Sequence, residues 1–193
     1  MKMNNNKNMK KKGVLSFETV IGLLMFLVLL AILLDMLTLS NRYMGIHDTV
    51  KELSRTIAVQ GGSLSNKPEG YPNNYYNSIN LANLVDRSMK ISGFKGNDYK
   101  IYITYSKYIT DNNGNITTDE SYQKDFMTIE DGEMTVKDTD KIDYLNDFNV
   151  TIIAEYDWIF SKLPLGLSPA ILKSSAPGVS EWKYNYDKWD SEN

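Results

Sequence analysis

The chain has 193 residues, of which 23% are charged and 42% hydrophobic, a composition typical of one folded domain with short additions. It contains no cysteine, which excludes disulfide bonds and thiolate chemistry. Residues 1–13 hold five lysines and no acid, so the rest of the chain keeps 16 of the 21 basic residues against 24 acidic ones, a net charge of −8. This acidic balance argues against nucleic-acid binding, which needs a basic surface.

An apolar segment follows the basic leader 1–13. It runs from Val14 to Leu39, with no charged residue between Thr19 and Leu34. Because about 20 apolar helical residues cross a hydrocarbon layer of about 30 Å, the segment predicts a transmembrane helix. The preceding lysines predict a cytoplasmic N-terminus, with residues 40–193 outside the membrane. A cleaved secretory signal is the competing interpretation, but its apolar region is usually only about 7–15 residues long.

The helical pattern continues beyond the apolar segment. Apolar residues recur in alternating steps of four and three, at Leu39, Tyr43, Ile46, Val50, Leu53 and Ile57. Gly61 and Gly62 then end the pattern, so a helix is expected over residues 15–60. The stripe fits either a coiled coil or a face packed on the protein's own sheet. The second is favoured because only about three heptads are available.

A second helix is predicted after residues 61–74, a loop rich in Gly, Pro, Asn and Ser. It covers residues 75–92, and Gly93 provides the stop signal. Its apolar positions at helical spacing are Ile79, Ala82, Val85 and Met89.

The pattern then changes to one typical of strands. Residues 99–110 are β-branched and aromatic, with Ile101, Ile103 and Tyr105 on one face. Asn113-Gly114 follows as a hairpin signal. Two further strands, 122–130 and 133–137, are predicted to be joined by a turn at Asp131-Gly132. The longest strand is predicted at 147–159 and a short last strand at 171–176.

Between the last two strands, residues 160–170 form a predicted proline-broken loop, and the tail from Trp182 onward is expected to be loose. Helices followed by antiparallel strands predict an α+β fold, with the long N-terminal helix packed on an antiparallel sheet.

No arrangement of reactive residues predicts an enzyme. His47 is the sole histidine, so neither a zinc site nor a Ser-His-Asp triad can be argued, and we interpret it as a surface residue of the long helix. Residues 111–115 have the composition of a calcium loop, but Ile116 and Tyr122 stand where an EF-hand needs Gly and Glu. No phosphate-binding glycine motif is present, and no cofactor is expected. Glycosidase-type carboxylate pairs stay open, since such pairs meet only in the fold.

Residues 10–18, KKKGVLSFE, resemble the type IV prepilin signature of a basic leader, a glycine and an apolar helix with glutamate at its fifth position. The resemblance implies that a membrane aspartyl peptidase cuts between Gly13 and Val14, for which a glycine in an extended backbone is suitable. Glu18 would then be the fifth mature residue. It is the only acid between Gly13 and Asp35, and it would neutralise the new α-amino group of a neighbouring subunit.

Together with the predicted layout, this signature makes the chain similar to Tad-type (TadE-like) minor pilins with a class III-like prepilin signal. Major pilins of that system are much shorter and usually have Tyr after the glutamate, where Thr19 stands here. Both departures favour a minor pilin or pseudopilin. The resemblance implies a prepilin peptidase, other pilin subunits, a Tad-type inner-membrane platform and the lipid bilayer as partners, and a location in the cell membrane or a surface pilus.

Two other functions compete with this interpretation. One is a signal-anchored extracytoplasmic binding domain that is never processed and never polymerises. The other is a membrane-tethered hydrolase, which is disfavoured because the residues expected of its site are missing. The N-terminus of the mature protein distinguishes the pilin from the unprocessed anchor.

Overall fold

The computed structural model describes residues 5–71, 74–110, 116–130, 133–139, 141–158 and 168–182, with side chains from residue 17 onward except 106–125 and 130. The elements are α1 (Asn5–Gln60), α2 (Ser78–Ile91), a 3-10 turn (Gly96–Asp98), β1 (Tyr99–Thr110), β2 (Ile116–Glu130), β3 (Glu133–Val136), β4 (Asp147–Tyr156) and β5 (Ala170–Val179). The five strands form one antiparallel sheet in the order β3-β2-β1-β4-β5, which confirms the predicted α+β fold. The chain divides into two compact units, Met1–Ser40 and Asn41–Asn193.

Helix α1 begins at Asn5, ten residues before the predicted start. The leader contains Lys, Met and Asn, which a helix accepts, and Gly13 costs only about 1 kcal/mol relative to Ala. In the second unit the predicted stripe is confirmed at four positions, since Ile46, Val50, Leu53 and Ile57 are buried in the core. The prediction is wrong for Tyr43, which is exposed.

Helix α2 begins at Ser78, three residues later than predicted, because the Asn77 side chain caps it by accepting a hydrogen bond from Asn80 N. Its buried residues are Ser78, Leu81, Ala82, Val85 and Met89. The prediction is wrong for Ile79, which is exposed. At about 100° per residue, Ile79 lies about 100° round the helix from the centre of the buried stripe. Gly93 ends the helix in the left-handed conformation, with φ of 88°.

One face of the sheet faces the core. In β1 the predicted inward residues Ile101, Ile103 and Tyr105 are all buried, and in β4 every second residue from Phe148 to Tyr156 is buried. Except for Tyr156, these side chains join those of α1 and α2 in one hydrophobic cluster. Helices therefore cover a single sheet face, as the α+β prediction requires.

Both predicted hairpins are confirmed by pairing, with Thr110 opposite Ile116 and Glu130 opposite Glu133. The turns themselves, Asn113-Gly114 and Asp131-Gly132, lie outside the described residues, as does the candidate calcium loop 111–115.

Strand lengths differ from the predictions at three places. The longest strand is β2, with 15 residues, rather than β4, with 10. Strand β5 also has 10 residues and continues through Pro177, which an edge strand accepts because one side needs no ladder hydrogen bonds. Most of the predicted loop 160–170 lies outside the described residues. Trp182, predicted to begin a loose tail, packs on Tyr71 with ring centroids 4.5 Å apart.

Candidate functional site

In the first unit, the part of α1 from Thr19 to Leu34 is apolar around its circumference. Its large hydrophobic side chains from Phe17 to Leu30 are all exposed. Among the described residues this is the one helix long and apolar enough to cross a membrane. A helix that is apolar on every side and exposed needs an apolar environment, so the segment is compatible with a single-pass membrane anchor. An N-terminal signal sequence passes the same test of length and composition.

The three residues predicted to act in processing and assembly all lie on α1. Gly13 and Val14 are part of the helix, where an extended backbone was expected at the cleavage position. Because glycine weakens a helix by about 1 kcal/mol relative to alanine, Gly13 is a favourable place for the helix to unwind. Glu18 lies about one turn after Val14 and its side chain is exposed. Neither cleavage nor assembly follows from these positions alone.

His47 is half-buried rather than a surface residue as predicted. Its Nδ1 lies 3.2 Å from Ser174 Oγ on β5, and its ring is stacked parallel to that of Tyr43. Ser174 is itself buried, so a substrate has no open approach to this hydroxyl. The contact ties α1 to β5. Within the described residues, no group of three or more His, Asp or Glu side chains is placed to hold a metal ion.

A partly buried network of hydrogen bonds lies on the side of the domain near α2 and β1. The Tyr99 hydroxyl donates to Asp86 Oδ1 at 2.8 Å, and Lys90 Nζ pairs with Asp86 Oδ2 at 2.7 Å. Burial, then the hydrogen bond to Asp86, then the nearby charges of Asp86 and Asp98, hold the pKa of Tyr99 well above its ordinary value. The Tyr99 phenol stays neutral, and the Asp86 carboxylate that it contacts is also paired with Lys90. This network therefore stabilises the domain and supplies no unpaired base.

The described part of the domain also has a groove of about 290 Å³ between α1 and α2. Its walls include Thr49 and Leu53 from α1 and Leu81, Leu84 and Ile91 from α2. Glu52 and Arg87 also line the groove, so the lining supplies apolar contact, hydroxyl groups and one side chain of each charge.

An aromatic cluster around Arg42 was missed at the sequence level. The Arg42 guanidinium lies 5.4 Å from the ring centroid of Phe94 and 5.0 Å from that of Tyr156, both within cation–π range. Gly93 makes room for it, since a Cβ there would lie 3.1 Å from Arg42 Nε. Trp158 packs edge-on against Tyr156 at 5.5 Å. The only signal in the sequence is that Arg42 is the first basic residue after the apolar segment.

The chain matches no family model, and comparisons with curated proteins and with solved structures gave no significant match. No relative therefore supports or contradicts the pilin resemblance of residues 10–18. In the structure, α1 begins with an apolar segment that could serve as an anchor and continues as a core helix of an α+β domain.

Proposed function

We propose that the chain is a membrane-anchored structural subunit of the minor-pilin or pseudopilin type, which assembles through its N-terminal helix in a Tad or type IV-related pilus or secretion assembly. The observation that carries the proposal is the double use of α1. One uninterrupted helix supplies an apolar, exposed segment and then the buried stripe from Ile46 to Ile57. A subunit of this type needs both parts of the helix. The apolar segment must pass from the bilayer to the apolar interior of an assembly, and the buried stripe fixes the helix in the folded domain.

Glu18 supports assembly rather than simple anchoring. It is an exposed acid on a helix whose neighbouring turns are apolar, and in a bilayer such a group is costly unless it is paired. Cleavage after Gly13 would create an α-amino group on Val14, and the Glu18 of an adjacent subunit would neutralise it. Removing one partner of a buried ion pair costs about 3–5 kcal/mol, enough to stop a reversible assembly step.

The proposal is tested first at the N-terminus. In cells that contain a prepilin peptidase, mass spectrometry of the membrane-extracted chain should find Val14 as the first residue. Gly13→Leu should leave the full-length precursor. Gly22→Leu is the matched control on the same helix, where a Cβ meets no atom within 4 Å, and it should be cleaved normally. Recovery of the Met1 precursor alone would favour the unprocessed, signal-anchored binding domain.

The second test separates assembly from processing. Glu18→Gln should insert and be cleaved normally but should be lost from the sheared surface-filament fraction. Glu52→Gln is the control, an equally conservative change at an exposed acid of the same helix within the domain. Normal amounts of the Glu18→Gln variant in sheared filaments would contradict a pilin role and leave the anchor intact.

A further inference from the structure

Strand β5 forms one edge of the sheet, and the direction of its backbone groups can be assigned. The N–H of Ser180, just beyond the strand, donates to Asn146 O on the β4 side at 2.9 Å. Successive residues of a strand point their N–H and C=O groups in opposite directions, and β5 pairs with β4 in unbroken register from Asp147 to Tyr156. Even-numbered residues of β5 therefore bond to β4, and odd-numbered residues direct both groups to the free edge.

The part of this free edge that follows Ser175 is closed. Pro177 has no N–H, and its outward C=O accepts a hydrogen bond from Ser54 Oγ of α1 at 3.1 Å. Glu181, two positions beyond the strand, donates its N–H to Ala58 O at the end of α1 at 2.8 Å. Both contacts agree with the direction assigned to odd-numbered residues. Proline on an edge strand also prevents further pairing, so no strand can be added along this part.

The first part of the edge is open. Its outward residues are Ile171, Lys173 and Ser175, whose side chains are exposed on the sheet face that no helix covers. Among the described residues, none forms a hydrogen bond with the outward N–H and C=O groups of these three. The open part is about 13 Å long at about 3.3 Å per residue. An extended polypeptide can pair with it as an additional strand, because its own N–H and C=O groups have the same spacing.

Charge determines which strand fits this edge. On the uncovered sheet face, Lys173 is opposite Ile153 of β4, and Ile153 is in turn opposite Lys100 of β1. Both lysines are exposed, and neither forms an ion pair with another residue that the structure describes. An added strand would place one side chain directly opposite Lys173, where an opposite charge stabilises the pairing and a like charge destabilises it. A strand with Asp or Glu at that position is therefore favoured.

A second copy of the chain fits this edge poorly. The antiparallel register that uses all three open residues of both copies places Lys173 opposite the same lysine of the other copy, which is destabilising. A shift of the register either leaves one open residue of each copy unpaired or brings in Pro177, which has no N–H to donate. Lysine and proline on edge strands are devices by which natural sheets avoid pairing with identical edges. The edge is thus closed to its own kind but not to an acidic strand.

We propose that residues 171–175 of β5 are a docking site for an extended strand of a different polypeptide, one that has an acidic residue opposite Lys173. The edge recognises the backbone of this partner along its open part and one side-chain charge at its centre. Pro177 and the contacts with α1 determine where the added strand ends. The inference concerns the second unit alone, and it requires neither the membrane anchor nor the cleavage and assembly of the proposed function.

The experiment tethers a probe strand to the full chain. The peptide TVTETVT is attached after Asn193 through a flexible Gly-Ser linker of about 20 residues, which raises its effective concentration to about the millimolar range. Its sequence reads the same in both directions, so its central Glu can lie opposite Lys173 in either strand orientation. The matched control probe has Lys in place of this Glu. Hydrogen exchange of individual backbone amides is measured on the dilute chain in detergent.

We expect the Glu probe to slow exchange of the Lys173 and Ser175 amides at least tenfold, and the Lys probe to have little effect. Lys173→Glu should reverse this preference. Ser175→Pro, which removes one outward N–H, should weaken the protection of Lys173 by the Glu probe. In every variant the amides of Leu172 and Ser174, which bond to β4, should stay protected and so show that the sheet is intact.

Two results would overturn the inference. If neither probe slows exchange at Lys173, or both slow it equally, the edge does not select an acidic strand. If the chain without a probe gains protection at Lys173 as its concentration rises, the occupant is a second copy. Either result leaves the proposed function untouched, because that function is tested at the N-terminus and at Glu18.

Discussion

Helix α1 contains two regions with the same backbone and opposite surroundings. Between residues 17 and 37 its leucines are exposed, and Leu33 is 56% exposed. Between residues 41 and 60 one stripe of apolar side chains is buried, and Leu53 is 1% exposed. Helix propensity cannot distinguish the regions, since both are helical throughout. The distribution of apolar residues around the axis does, because a helix apolar on all sides must be covered on all sides.

Glycine illustrates the same contrast. A Cβ at Gly22, in the first region, would meet nothing within 4 Å, whereas a Cβ at Gly45 would collide with Ser92. One glycine lies on a surface that is open in the isolated chain, and the other allows two helices to approach closely. The same residue type thus lies in two different environments, and substitutions in each region test this difference.

The largest effect is expected from charges in the first region. Leu27→Arg combined with Leu30→Arg should abolish membrane insertion, because each arginine near the centre of a bilayer costs about 2.5–3.5 kcal/mol or more. Glu52→Arg with Val59→Arg, at exposed positions of the second region, should leave insertion unchanged. Alkaline carbonate extraction measures both. Retention of the Leu27/Leu30 double variant in the membrane pellet would mean that the first region is not a span.

A smaller effect is expected from truncating leucines. Leu53→Ala removes a fully buried side chain and should lower the domain's free energy of unfolding by about 2–5 kcal/mol. Leu33→Ala, the same change on the same helix, should alter it by less than about 0.5 kcal/mol. Urea unfolding of the full chain in detergent, followed by circular dichroism, gives both values. Equal losses from the two variants would remove the distinction between the regions.

The glycine pair should give a still smaller difference. Gly45→Ala forces Ser92 away and should cost about 1–2 kcal/mol, since overpacking of about 1–3 kcal/mol is partly offset by helix propensity. Gly22→Ala should cost nothing. Adding Ser92→Gly to Gly45→Ala should restore much of the lost stability, because it removes the colliding atoms. A Gly45→Ala variant as stable as the unmodified protein would show that the helices need not approach so closely.

The smallest effect concerns pH, which should act on the domain through Tyr99. Its pKa is raised in the folded state, so above the ordinary tyrosine value of about 10 the unfolded chain loses a proton that the folded chain keeps. Stability should therefore fall with rising pH, by at most about 1.4 kcal/mol per pH unit for this group. Tyr99→Phe should flatten the stability profile between pH 10 and 11. If the free energy of unfolding of that variant falls with pH as steeply as before, the loss of stability at alkaline pH comes from other groups.

Local patterns were sufficient for much of this fold. The bounds of β1, Tyr99–Thr110, agree with those predicted, and both hairpin pairings follow from turn residues a few positions away. The apolar segment and the buried stripe of α1 follow from composition and a period of three to four residues. The candidate processing residues Gly13, Val14 and Glu18 are likewise a local signature, and the structure adds only their helical setting.

Contacts between distant parts of the chain depended on the tertiary structure. Arg42 meets Tyr156, and His47 meets Ser174, across more than a hundred residues. Sequence alone assigned Tyr43 to the core, yet only the arrangement of α1 against the sheet determines which side of the stripe is covered. Periodicity reports which faces of an element are apolar, but strand order and helix position decide which of those faces meet, because that depends on the packing of the whole domain at once.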